Sequence, residues 1–166
     1  HLEAARKIGA EGIVLLKNDP AASGVKVFPV ELDQVKKILV VGENALKMMT
    51  VGGGSSSLKV QHEVSPMEGL LAAVGDRAEV VYERGYVGDP SGSYNGVTSG
   101  QDLSESRSED QLIDDAVRAA ADADVVLFLY RAAYYNSQNG ETEQANENEA
   151  ECIVAKNRHG ETSVVR

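Results

Sequence analysis

Residues 37–42 read Lys37-Ile38-Leu39-Val40-Val41-Gly42. Four consecutive apolar residues with no polar alternation predict a buried strand, parallel to its neighbours and covered on both faces. Moving outward toward the C-terminus, Glu43-Asn44-Ala45 begins a loop, and the glycine-serine stretch Gly52-Gly53-Gly54-Ser55-Ser56-Ser57 follows. Ser65-Pro66-Met67-Glu68 is a helix start, with Ser at the N-cap, Pro at the first helical position and Glu close behind. Leu70, Leu71 and Val74 give that helix an apolar face, and Gly75 ends it. Ala78-Glu79-Val80-Val81-Tyr82-Glu83 reads as the next strand. Residues 85–105 are rich in Gly, Ser, Asp and Asn and read as an excursion loop. Leu112, Ile113, Ala116, Val117 and Ala120 mark an amphipathic helix over 108–121. Asp124-Val125-Val126-Leu127-Phe128-Leu129-Tyr130 is the clearest buried strand in the chain. A polar loop over 131–147, a short helix over 149–157 and a last strand, Thr162-Ser163-Val164-Val165, complete the C-terminal reading.

Toward the N-terminus, Leu2, Ala5, Ile8, Gly9 and Gly12 have helical spacing. Ile13-Val14-Leu15-Leu16 is either a final helical turn or a short strand, stopped by Lys17-Asn18-Asp19-Pro20. Phe28-Pro29-Val30 is extended, because Pro steers the residue before it away from helix. Strands alternating with helices predict an α/β fold, a mostly parallel sheet with helices on both faces, forming an α/β sandwich. Right-handed crossovers then gather the loops that follow the strands along one edge. Open α/β sheets bind ligands there, and both the glycine-serine stretch and the 131–147 loop fall on it.

At 166 residues the chain fits one domain, residues 1–166, able to bury a core of its own. It begins at His1 inside a helical pattern and stops inside a strand pattern, so the expectation is a piece of a larger protein. Hydrophobic residues make up 42% and charged residues 25%, an ordinary globular balance. The net charge of −10, from 26 acidic and 16 basic residues, opposes nucleic acid and anionic lipid as partners. No apolar run approaches the ~18 residues that cross a bilayer, so no membrane partner is expected. The single cysteine, Cys152, precludes an internal disulfide and any cysteine-based zinc site, and it reads as core beside Ile153. His1, His62 and His159 lack metal-ligand spacing, so no metal and no cofactor are expected.

Two stretches carry possible chemistry. In Gly52–Ser57 the glycines let backbone N–H groups approach a ligand, and the serines add hydroxyls that donate and accept. No Lys stands where a phosphate cradle needs one, and Gly42 stands alone after the strand, so no dinucleotide fingerprint forms. The stretch suits a neutral polyhydroxy ligand, with Gly54, Ser55 and Ser56 as the candidate contacts; a flexible connecting loop would use the same residues. The second stretch is Asn139-Gly140-Glu141-Thr142-Glu143-Gln144. Repulsion between two carboxylates, and burial, raise a carboxyl pKa toward the range of a proton donor. Glu147, Glu149 and Glu151 nearby fit equally an acidic solvated loop.

Taken in order, these segments resemble the C-terminal α/β domain of family 3 glycoside hydrolases, the β-glucosidase and exo-glucanase family. The resemblance rests on Ala4-Ala5-Arg6-Lys7-Ile8 through Leu15-Leu16-Lys17-Asn18, on Phe28-Pro29-Val30, and on Ile38-Leu39-Val40-Val41-Gly42-Glu43-Asn44-Ala45. It continues in Gly52-Gly53-Gly54-Ser55-Ser56 with Ser65-Pro66-Met67-Glu68-Gly69-Leu70, and in Ala121-Asp122-Ala123-Asp124-Val125-Val126-Leu127. Order and spacing agree over about residues 1–130. The resemblance implies a retaining glycosidase of two domains acting on a β-linked glucoside or oligosaccharide. Its nucleophile sits on an N-terminal (β/α)8 barrel outside this chain, so the isolated chain is expected to be inactive. It also implies Glu143 as the acid/base, with Glu141 as the fallback, in a loop resembling the family's Glu-Ser-Glu-Gly-x-Asp-Arg. Gln144, Asn146 and Glu147 stand where that loop has Gly, Asp and Arg. The other expectation left open is a stand-alone, non-catalytic module that binds carbohydrate or protein. A periplasmic or secreted location is implied by the resemblance alone.

Overall fold

In chain order the elements are α1 (Leu2–Gly12), β1 (Lys37–Val41), α2 (Pro66–Val74), β2 (Glu79–Glu83), β3 (Ser93–Tyr94), β4 (Val97–Thr98), α3 (Glu109–Asp122), β5 (Val125–Tyr130), β6 (Glu151–Asn157) and β7 (Ser163–Val165). The structure is a computed structural model, and it describes residues 1–15, 17–20, 24, 26–48, 60–86, 93–94, 97–98, 101–130, 151–157 and 163–165.

β1 takes the centre because both of its faces are apolar. Ile38 and Val40 point into one buried cluster, where Met67, Leu70 and Val74 of α2 pack with Val80, Leu127 and Leu129. Leu39 and Val41 point into the other, against Ala116, Ala119 and Ala120 of α3 with Val126 and Phe128. A strand with no polar face is stable only between two layers, and α2 and α3 supply one each. Both helices start on a reciprocal cap. The Ser65 hydroxyl accepts from the Glu68 N–H while the Glu68 carboxylate accepts from the Ser65 N–H, and Ser108 and Gln111 repeat the arrangement for α3.

The sheet runs β2-β1-β5-β6-β7. β1 is parallel to β2 and to β5, which confirms the parallel centre expected from the sequence. At the start of the strands, the buried Asp124 carboxylate accepts from the Lys36 N–H at 2.8 Å and the Lys37 N–H at 3.1 Å. The Asp124 N–H in turn donates to the Lys37 carbonyl, so one side chain sets the register of β5 against β1.

Two segments depart from the sequence reading. The helix expected over 149–157 is instead the strand β6, antiparallel to β5 with Cys152 opposite Leu129, and β7 pairs antiparallel with β6. A seven-residue segment rich in Val and Ile has too little helix propensity to resist an open sheet edge that offers hydrogen bonds to its whole backbone. The excursion over 85–105 contains a small antiparallel ribbon, β3 with β4, in place of a continuous loop. Near the N-terminus, α1 ends at Gly12, and Ile13 is already extended.

Candidate functional site

The edge at which β1, β2 and β5 end is where an open parallel sheet takes its ligand. β1 has β2 on one side and β5 on the other, so the chain reverses its winding between β1 and β5. The strand ends meet closely there. Val41 stands opposite Glu83 of β2 and Phe128 of β5. Gly42 follows with φ of +108°, and a Cβ at that position would lie 2.5 Å from the Leu129 carbonyl oxygen. Gly85, after β2, has φ of +76°, and its Cβ would lie 2.6 Å from Val41 Cγ1. Both turns therefore require glycine, for backbone conformation and for space.

Each glycine is adjacent to a buried charge. Glu43 lies in a short 3-10 turn, Glu43–Ala45, and is 1% exposed. Its carboxylate accepts from the Lys47 ammonium and, at 3.0 Å, from the Arg84 guanidinium. Arg84 also donates to the Leu103 carbonyl, and its buried Nε has no hydrogen-bond partner among the described residues. Gln101 adds a second clip: its side chain accepts from the Met48 N–H and donates to the Leu46 carbonyl, both at 2.8 Å. Segments 43–48, 84 and 101–103 are thus held as one unit at the mouth of the sheet.

Beside this unit, Arg107 bonds the carboxylates of Glu83, Glu105 and Asp115 at 2.9–3.2 Å. Those bonds hold the Glu105 carboxyl down to about 2 and raise the Arg107 guanidinium above its ordinary range. Burial pushes the Tyr82 phenol up to about 12. The Tyr86 ring meets Phe128 edge to face, with centroids 6.0 Å apart. Among the described residues no group of His, Cys, Asp and Glu could hold a metal ion, and no helix is long and apolar enough to cross a membrane.

The candidate contacts Gly54, Ser55 and Ser56, and the candidate acids Glu141 and Glu143, lie outside the described residues. Their attachment points are described. The segment with the glycine-serine stretch leaves from the end of β1, and the segment with the two glutamates leaves from the end of β5. β1 and β5 are paired neighbours, so both segments depart from one edge of the sheet. Sequence reading missed Glu43, Lys47, Arg84 and Gln101. A signal was present for two of them: Gly42-Glu43 and Arg84-Gly85 each put a charge and a glycine directly after a buried parallel strand.

Comparison with known proteins bears on this edge. The family description "Glycosyl hydrolase family 3 C-terminal domain" matches residues 13–165. "Beta-glucosidase BoGH3A" of Bacteroides ovatus is 40% identical over 129 residues, which are 78% of this chain and 16% of that protein. "Beta-glucosidase" of Rhizobium radiobacter is 41% identical over 71 residues, 43% of this chain and 8% of that protein. "Beta-glucosidase B" of Emericella nidulans is 38% identical over 85 residues, 51% of this chain and 10% of that protein. The chain matches no more than about one-sixth of the length of any of these three relatives.

Proposed function

From the premise that this chain belongs to the glycosyl hydrolase family 3 C-terminal domain family, we propose that it completes the sugar site of a retaining β-glucosidase-like hydrolase that removes terminal β-linked glucosyl residues. The observation that carries this reading is the departure of two segments from the paired ends of β1 and β5, one rich in Gly and Ser and one carrying paired glutamates. Neutral hydroxyls and backbone N–H groups suit a sugar, and a carboxyl beside them suits proton transfer to a glycosidic oxygen. The names of the curated relatives give the same substrate class.

The nucleophile is assigned to an N-terminal (β/α)8 barrel. A retaining site holds its two carboxyls about 5–5.5 Å apart across the scissile bond. One attacks the anomeric carbon, and the other protonates the leaving oxygen and then activates water. We assign the second role to Glu143, with Glu141 as the fallback, and assign sugar contacts to Gly54, Ser55 and Ser56. With the carboxyls on separate domains, the 166-residue chain alone turns nothing over.

The test uses the full-length protein. Glu143→Gln is expected to lower kcat by about 10²–10⁴ on substrates with poor leaving groups, the range of a lost general acid. Aryl glucosides with good leaving groups need no proton in the first step, so they lose less there. Full activity in both Glu143→Gln and Glu141→Gln would move the acid/base elsewhere in the protein. Hydrolysis of an aryl β-glucoside by the 166-residue chain would overturn the barrel assignment.

Gln144, Asn146 and Glu147 favour a second reading, a non-catalytic module binding carbohydrate or protein. Calorimetry of the 166-residue chain with glucose and cellobiose separates the two. Half of a split site binds sugar poorly, whereas a self-sufficient binding module gives a saturable isotherm.

A further inference from the structure

α1 is an 11-residue helix with none of its residues buried. Little in it supports a helix locally. His1 at the N-cap makes no side-chain cap bond, the last turn holds no basic residue, and Gly9 and Gly12 weaken the backbone. One exposed pair, Lys7 with Glu11 at 4.0 Å, spans a turn. Helices of this length are marginal in water without a partner, because packing of an apolar face supplies most helical stability.

α1 has such a face. At 100° per residue, Ala5, Gly9 and Gly12 form a flat centre, flanked by Leu2 on one side and Ile8 on the other, with Lys7 opposite. Leu2 is 82% exposed and Ile8 70%, and a Cβ on either glycine would meet nothing within 4 Å. Past the helix the apolar surface continues in Ile13 at 79% and Val14 at 72%. The root of this arm is fixed. Asn18 donates to the Phe28 carbonyl at 2.7 Å and accepts from the Phe28 N–H at 3.1 Å, and Val27, Phe28 and Val30 pack into the core beneath α2. A projecting arm with a fixed root and a continuous apolar surface is an interaction surface.

We propose that residues 2–15 are the docking surface for the catalytic barrel, so that this arm sets how the two halves of the sugar site meet. The inference rests on the function proposed above and names the surface that function needs. Two observations select the barrel over a second copy of the chain. Most of the length of the Bacteroides relative lies outside the matched 16%, which leaves ample surface to cover the arm. The flat glycine-alanine centre also admits a close backbone approach on one side of α1 only, which suits a single large partner.

The experiment compares the full-length protein with the 166-residue chain by hydrogen exchange at the amides of residues 2–15. Exchange is expected to be at least about 100-fold slower in the full-length protein, as for a helix buried through two or more large apolar side chains. Ile8→Lys with Val14→Lys is expected to return exchange in the full-length protein to that of the chain and to lower kcat/KM. Lys7→Gln, on the opposite face, is expected to change neither. All three positions are solvent-exposed in the chain, so its own fold tolerates the changes, and circular dichroism checks this. Equal exchange in both wild-type proteins, with the full-length protein active, would overturn the docking surface and leave the proposed function standing. A chain that dimerises alone and becomes monomeric in the double-lysine variant would assign the arm to a second copy and overturn the inference. A full-length protein without a barrel, or without β-glucosidase activity, would sink the functional reading and this inference with it.

Discussion

The Glu43 carboxylate and the Arg84 guanidinium meet at 3.0 Å with both side chains buried, and they join the end of β1 to the end of β2. Their backbones are 41 residues apart in sequence, and neither strand carries another charge into the core at this edge. Removing one partner strands the other in a place where water cannot replace it. Glu43→Gln is therefore expected to cost about 3–5 kcal/mol in chemical denaturation, since Lys47 and Arg84 stay buried beside a neutral group. Combining Glu43→Gln with Arg84→Met is expected to cost less than the sum of the two single changes. Strict additivity would mean that the pair is not coupled.

At Gly42 the expectation comes from space and conformation together. Gly42→Ala places a methyl 2.5 Å from the Leu129 carbonyl oxygen at φ of +108°, where no L-residue is comfortable. β1 and β5 must then separate, or the turn must rebuild. A loss of about 2 kcal/mol or more is expected, with a thermal midpoint lower by several degrees. Gly24 also has positive φ, but its Cβ would meet nothing, so Gly24→Ala is expected to cost less. Equal losses at the two glycines would remove the steric part of the argument.

Asp124 tests the register of the sheet. Its carboxylate takes two backbone N–H groups at the start of β1, and Asp124→Ala leaves both donors buried and unpaired. Each costs about 1–3 kcal/mol. Asp124→Asn keeps one acceptor oxygen and is expected to recover part of the loss. An alanine variant as stable as wild type would show that water reaches this corner.

Glu105 gives a pH dependence with a definite sign. Arg107 holds the folded carboxyl at about 2, against 4.5 for the free group. As pH falls, the unfolded chain takes up this proton first. The stabilisation is therefore complete above about pH 4.5 and fades between there and about pH 2. Thermal melts of wild type and Glu105→Gln should differ at pH 7 and converge toward pH 2. A difference that persists unchanged at pH 2 would assign it to something other than this ion pair.

Much of the fold was legible because its signals are local. Lys37–Val41 and Val125–Tyr130 are unbroken apolar runs, and Ser65-Pro66-Met67-Glu68 is a helix start that forms the expected reciprocal cap. Their order also carried the family, which the match over residues 13–165 confirms. The candidate site was legible only as residue types in sequence. Gly54, Ser55, Ser56, Glu141 and Glu143 stand in segments with no regular periodicity, and they remain proposals.

The sequence by itself determined which segments are strands and helices over residues 37–130, and which family they build, because apolar runs, caps and glycine stops act over a few residues. Tertiary structure decided the rest. It made residues 151–157 an antiparallel strand, because the open edge of β5 satisfied a whole backbone that local preference left undecided. It also paired Glu43 with Arg84 and clipped Gln101 to Leu46 and Met48. No short-range pattern encodes those contacts: they exist only once parallel pairing brings the ends of β1 and β2 side by side and excludes the water that would otherwise solvate each charge.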